Sequence, residues 1–151
     1  MMRNWVLVSV TVLALSSADG NAGPGLEYRL KAPDGVEFKW RDGKVERLAS
    51  QPFMITSDFA NAIAMKSTNP RAPESFEVDI VHNQLGTRKY RAITKFGQPR
   101  EYCILFNKVV LQCYAVIPRL ASLYEQGGTI YGPFSRSEAT NLTAQINELL
   151  H

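Results

Sequence analysis

The chain has 151 residues, of which 45% are hydrophobic and 21% charged, and a formal net charge of +3. That length suits one domain with a core of its own. So mild a charge excludes the strongly basic balance of a nucleic-acid-binding protein.

Residues 1–22 read as a secretory signal peptide. Arg3 gives a charged start, Trp5 to Leu15 is a weakly polar-to-apolar run, and the small residues of "SSADGNA" form the exit. The run is too short to span a bilayer, which takes about 20 residues. Cleavage is expected after Ala18 or Ala22, and no cysteine near either point would carry a lipid anchor. Arg3 and Asp19 cancel within the leader, so the exported chain, 23–151, keeps the whole +3. The expectation is one periplasmic domain, with no second apolar segment of membrane-spanning length.

"LEYRL", Leu26 to Leu30, alternates as a strand does. Pro33-Asp34-Gly35 signals a turn, "VEFKW" a second short strand, and Asp42-Gly43 another turn. In "PFMITSDFANAIAMKS", Ser57 is placed to cap a short helical turn, with Asp58 at its positive end. The chain returns to strand from Ile63. After the loop "NPRAPE" comes "SFEVDIV", where Phe76, Val78 and Ile80 alternate with Glu77 and Asp79. One face is expected to be buried and the other wet.

Asn83 is the expected cap of a helix running to about Phe96 and ended by Gly97. Leu85, Tyr90, Ala92, Ile93 and Phe96 share its apolar side. Arg88, Arg91 and Lys95 cluster on the other side, and the helix holds no acidic residue. Such a stripe reads either as a solvated outer face or as a docking surface for an acidic partner or anionic headgroups. No aromatic residue interleaves the cations, which disfavours nucleic acid.

"EYCILFN" and "KVVLQCYAVI" form an apolar hairpin, followed by a turn-rich link. Thr129-Ile130-Tyr131 is a short strand that Gly132-Pro133 halts. Ser135 with Glu138 makes a capping box, and Phe134 before it can staple onto the first turn. Ala139, Leu142, Ile146, Leu149 and Leu150 then follow a helical period. These alternations and periods give an α+β class: a mainly antiparallel sheet with two or three helices packed on one face.

The order of "ITSDFANA", "SFEVDIVHNQLGTRKYRAITKFG", "CILFNKVVLQCYAVI" and "GGTIYGPFSRSEATNLTAQINELL" resembles the head of the first periplasmic domain of SecD, an accessory subunit of the bacterial preprotein translocase. A Gly…Lys-Phe pattern of that family is matched by Gly86, Lys89 and Tyr90. Its closing glycine-rich motif is matched by Ile130, Gly132, Phe134, Ser135, Glu138, Ala139 and Leu142. The resemblance spans Ile55 to Leu150. Two features depart from the pattern: Phe106-Asn107 replaces the Asp-Gly of the hairpin, and the second hairpin strand is about two residues longer. The membrane helices of SecD have no counterpart, so proton-coupled export is not implied. What the resemblance implies is the fold and contact with other polypeptides of the envelope.

Among the candidate reactive groups, His82 is the sole internal histidine, and without spaced partners it reads as a surface or capping residue and not a metal ligand. No serine sits in a nucleophile elbow. The Gly127-Gly128 pair precedes a strand and not a helix, so it is no phosphate cradle. Asn141 begins a glycosylation sequon inside the expected helix. No catalytic residue, metal or cofactor is implied. The reading is a non-enzymatic periplasmic domain that binds another envelope protein, with Arg88, Arg91 and Lys95 as the candidate contact if the stripe is more than a solvated face, and an acidic partner in that case. The alternatives are an inhibitor or immunity protein that blocks a toxin or hydrolase, and a small hydrolase whose residues meet only in three dimensions.

Cys103 and Cys113 enter an oxidising compartment, where an even count favours a disulfide. Register weighs the other way. A two-residue turn at Phe106-Asn107 would set Cys103 against Val110 and leave Cys113 on the opposite face. A three-residue loop, or a bulge in the lengthened second strand, would bring the pair together. On balance the sequence tips slightly against the bond.

Overall fold

The computed structural model describes residues 25–95 and 99–150. The expected leader at 1–22 and the expected helix end at Phe96 and Gly97 lie outside the described residues. In chain order the elements are β1 (Leu26–Trp40), β2 (Val45–Leu48), β3 (Phe59–Lys66), β4 (Phe76–His82), α1 (Gln84–Thr94), β5 (Arg100–Phe106), β6 (Val109–Val116), α2 (Ala121–Tyr124), β7 (Gly127–Phe134) and α3 (Arg136–Leu150). This is the α+β class read from the sequence. The strands form two sheets instead of one, ordered β2-β1-β5-β6 and β3-β4-β7. All pairings within them are antiparallel except a short parallel contact between the ends of β1 and β6.

Pro33-Asp34-Gly35 does not divide two strands. β1 runs through it and absorbs the segment as a bulge, so that Lys31 and Val36 both oppose Leu48. Gly35 permits this because a Cβ there would stand 2.0 Å from the Leu48 carbonyl oxygen. The Asp42-Gly43 turn does reverse the chain, with Gly43 at φ +89°, and delivers β2, a strand of four residues with no sequence signal strong enough to assign it.

The hairpin register differs from the sequence reading, and so does its outcome. The turn residues are Asn107 and Lys108, both at positive φ, which is the backbone a two-residue hairpin requires. Phe106 therefore pairs with Val109 and stays in β5. A bulge after Leu105–Val110 restores Ile104 opposite Gln112 and Cys103 opposite Cys113. Cys103 and Cys113 are joined in a disulfide. The tilt against the bond fails because the turn lies one residue later and the bulge takes up the extra length of β6.

One core draws on both sheets and on α1 and α3. Tyr28, Tyr102 and Ile104 from the larger sheet meet Val78, Ile80 and Ile130 from the smaller, with Tyr90, Ala139 and Ile146 from the helices. The other face of the larger sheet buries Leu48, Cys103, Leu105 and Val110 under Phe38 and Trp40. On that face Glu27 and Arg29 are buried together in a two-point ion pair. Lys108 and the carbonyls of Ala49 and Ser50 satisfy their remaining capacity, which a buried charge pair needs if it is not to destabilise.

Local signals at the helix starts are realised in detail. Asn83 Oδ1 accepts from the Gly86 N–H at 2.9 Å. Ser135 Oγ accepts from Glu138 N–H, while Glu138 accepts from Ser135 N–H at 2.7 Å. The buried face of α1, however, is Gly86, Thr87, Tyr90 and Ile93, with Leu85 and Ala92 exposed. Leu149 of α3 is exposed as well. Before β3 the helical turn is a 3-10 turn at Thr56–Asp58. Its cap is the Asp58 carboxylate accepting from Ile55 N–H at 2.8 Å, in place of Ser57.

The buried face of α1 has a local cause. Gly86 lets α1 rest directly on that turn, since a Cβ would come 2.1 Å from the Asp58 carbonyl oxygen. Lys89 then reaches the fully buried Asp58 carboxylate at 2.9 Å, and Tyr90 enters the core. Two separate strings of the sequence, "ITSDF" and Gly86…Lys89-Tyr90, are thus the two halves of one contact.

Candidate functional site

His82 is not at the surface. It ends β4 inside the core, 4% exposed, with Nε2 3.0 Å from the Tyr28 hydroxyl and Nδ1 2.8 Å from the Glu125 carbonyl. Rings of Tyr28, Phe59 and Tyr90 surround it. Burial, the largest influence, lowers its pKa from 6.5, while the Glu125 carbonyl and the Asp58 charge act in the opposite direction. Both ring nitrogens are committed to holding β4 against β1 and against the segment that follows α2.

Arg88, Arg91 and Lys95 all lie on the exposed side of α1. Arg91 is engaged by a residue outside the helix: its Nε and one terminal nitrogen each lie 2.8 Å from a Glu125 oxygen. The hydrogen bond raises the Arg91 pKa and lowers that of Glu125. The stripe therefore clamps α1 to the end of α2 at Arg91, with Arg88 and Lys95 on either side of the clamp.

Next to this clamp the structure opens a groove that the sequence did not announce. The smaller sheet lies over the core face of the larger one, and β7 is its outer strand beside β6. Tyr102 and Tyr114, paired across β5 and β6, stack at 5.8 Å and form a platform beneath β7. A cavity of about 100 Å³ sits there, lined by Tyr90, Tyr102, Tyr114, Ile117, Leu120 and Tyr124. It continues into an open groove of about 410 Å³ between α2 and the edge of β7, lined by Asp79, Val81, Leu123, Tyr124, Thr129 and Tyr131.

Large apolar side chains stand exposed along the groove: Ile117, Leu123 at 69%, Tyr124 and Tyr131. Burial foremost raises the pKa values of Tyr28, Tyr90, Tyr102 and Tyr114, so these hydroxyls stay protonated as hydrogen-bond donors. In the sequence the residues lining the groove fell on a helix, on separate strands and in the "turn-rich link". Their irregular spacing has no helical or strand period, so only the tertiary fold gathers them.

A second open groove lies on the other side of the larger sheet and contains Lys31, Glu46, Arg47, Arg100 and Glu101. Its two carboxylates do not face one another freely, because Lys31 lies between them, 3.6 Å from Glu46 and 3.9 Å from Glu101.

No protein-family model matches the chain, and no curated protein matches it. Solved structures do. One is the membrane component SecDF that enhances protein export, with a TM-score of 0.59 and 16% identity, over 93% of this chain and 70% of that one. Another is SecDF in a super-membrane-facing form, with a TM-score of 0.61 and 18% identity, over 91% of this chain. The chain spans 21% of the length of that second structure. The fold is SecD-like, in agreement with the resemblance carried by the motifs. No described helix is long and apolar enough to cross a membrane.

Proposed function

We propose that the chain is an exported domain, with residues 1–22 as its leader and 23–151 as a single SecD-like head, that binds unfolded or extended polypeptide in the periplasm. The observation that carries this reading is the tyrosine-floored groove along β7, with Ile117, Leu123, Tyr124 and Tyr131 exposed around it. An apolar surface of this kind on a folded domain suits a partner with apolar side chains to bury. Arg88 and Lys95 extend the surface as a cationic rim for acidic residues of the partner. Arg91 is the weaker candidate there, since Glu125 already holds it. A binding role also fits His82, whose two ring nitrogens are occupied inside the core and so are not free for acid–base work.

The test is titration of the purified domain with a permanently unfolded, carboxymethylated protein and with the same protein in its native state. Binding of the unfolded form alone, lost in Leu123→Ser/Tyr124→Ser with the melting temperature nearly unchanged, supports the reading. Equal binding by the double variant would move the contact elsewhere.

A further inference from the structure

The edge of β7 is hydrogen-bonded in an unusual way. In an antiparallel pair, the N–H and C=O of one residue point to the same side, and successive residues alternate. The Thr129 carbonyl accepts from the Tyr114 hydroxyl, and Tyr131 N–H donates to Gln112 Oε1 at 3.2 Å. The backbone groups of Thr129 and the Tyr131 N–H therefore point away from β4, toward solvent and β6. Both bonds come from side chains of β6, not from a neighbouring strand. They occupy two of the positions that a further strand would use. Contrast the opposite edge of the same sheet. There the Asn147 amide both donates to and accepts from Ala62 at 2.9 Å, and α3 packs over the strand.

We infer that an extended polypeptide adds to β7 as a fourth strand of the smaller sheet, displacing the Tyr114 and Gln112 side chains from the edge. This rests on the polypeptide-binding reading above and gives its mode. A strand in that position has one row of side chains over the Tyr102–Tyr114 platform and the other row on the outer face of the sheet. The platform and the exposed Ile117 and Tyr124 call for apolar residues on the first row. On the outer face Asp79 is the one charged residue lining the groove among the described residues. Thr129 occupies its Oδ1 at 2.8 Å, and no basic side chain meets it among the described residues. Charge complementarity therefore assigns the second row a lysine or arginine. The occupant is an extended segment in which apolar residues alternate with a basic one, held by main-chain bonds and selected by alternate side chains.

The test uses the 15N-labelled domain with two capped heptapeptides, one alternating valine with lysine and one alternating valine with glutamate. The expected result is slowed amide hydrogen exchange at Thr129 on adding the lysine peptide, together with binding about three-fold tighter than that of the glutamate peptide, the scale of one exposed ion pair. Tyr114→Phe keeps the platform ring and releases the Thr129 carbonyl, so it should tighten the lysine peptide about five-fold, the scale of one net hydrogen bond. A role for Tyr114 in packing alone would weaken binding or leave it unchanged. Peptide binding without protection at Thr129 would overturn strand addition and leave the polypeptide-binding reading standing. Absence of binding by either peptide would also overturn it, whereas the broader reading falls only if unfolded protein fails to bind too.

Discussion

Replacing Gly86 with alanine should destabilise the domain, although glycine-to-alanine exchange inside an exposed helix stabilises by about 1 kcal/mol. At Gly86 a Cβ would stand 2.1 Å from the Asp58 carbonyl oxygen and 3.0 Å from Met54 Cε. The oxygen belongs to the backbone of the 3-10 turn and cannot swing aside, so α1 has to lift by roughly 1 Å to reach ordinary contact distance. That lift strains the bond from Asn83 N–H to the Asp58 carbonyl at 3.0 Å and the Lys89–Asp58 pair at 2.9 Å. Overpacking costs about 1–3 kcal/mol, and weakening one hydrogen bond adds about 1 kcal/mol. Set against the helical gain, the net loss is about 1–3 kcal/mol, or a fall in melting temperature of roughly 3–10 °C. Ala92, exposed on the same helix, is the control, where alanine-to-glycine should cost about 1 kcal/mol. Thermal melts followed by circular dichroism should therefore show both exchanges, made in opposite directions, lowering stability. A rise in melting temperature for Gly86→Ala would refute the seating of α1 on the turn.

The pKa of His82 is depressed in the folded state, so below pH 6.5 the unfolded chain takes up a proton that the folded chain resists. Stability should be flat above about pH 7.5 and fall as the pH drops below 6.5, by at most about 1.4 kcal/mol per pH unit. Melting curves across that window should flatten in His82→Gln, and an unchanged slope would assign the effect to another group. Intact mass of the exported protein should be lower by two hydrogens, with no alkylation in denaturant before reduction. Two alkylated thiols would contradict the Cys103–Cys113 bond. The bond closes a short loop of sequence separation 10, so Cys103→Ser/Cys113→Ser should lose about 2–3 kcal/mol in urea unfolding.

What the sequence made legible was local. Asn83, Ser135 and Glu138 announced their caps because a cap involves neighbours along the chain, and alternation in "SFEVDIV" located β4. Pairing was not legible in the same way. Pro33-Asp34-Gly35 looks like a hairpin turn until Leu48 is seen to pass beside it, and the hairpin turn fell one residue late because the two left-handed, positive-φ sites are Asn107 and Lys108. The exposed-face reading of Glu77 fails for a related reason. Glu77 is 4% exposed, opposite the irregular stretch of β7 between Ile130 and Phe134. His82 looked like a surface residue because its partners, Tyr28 and Glu125, are remote in sequence. The basic stripe was visible as a helical period, but the carboxylate that clamps Arg91 comes from Glu125, beyond two intervening strands. The tyrosine-floored groove had no linear signature at all, since it is assembled from α1, β5, β6, α2 and β7.

The central claim is that extended polypeptide binds along β7 beside α2. Site-specific photocrosslinking tests it most directly, with a benzoylphenylalanine placed at Tyr131, at Tyr124, or at Val36, which is exposed on β1 and paired toward β2. The purified domain would be irradiated with permanently unfolded, carboxymethylated protein at one concentration. Adducts from positions 131 and 124, few or none from 36, and competition by unlabelled unfolded chain are the predicted result. Equal adducts from all three positions, or adducts from 36 alone, would contradict the account.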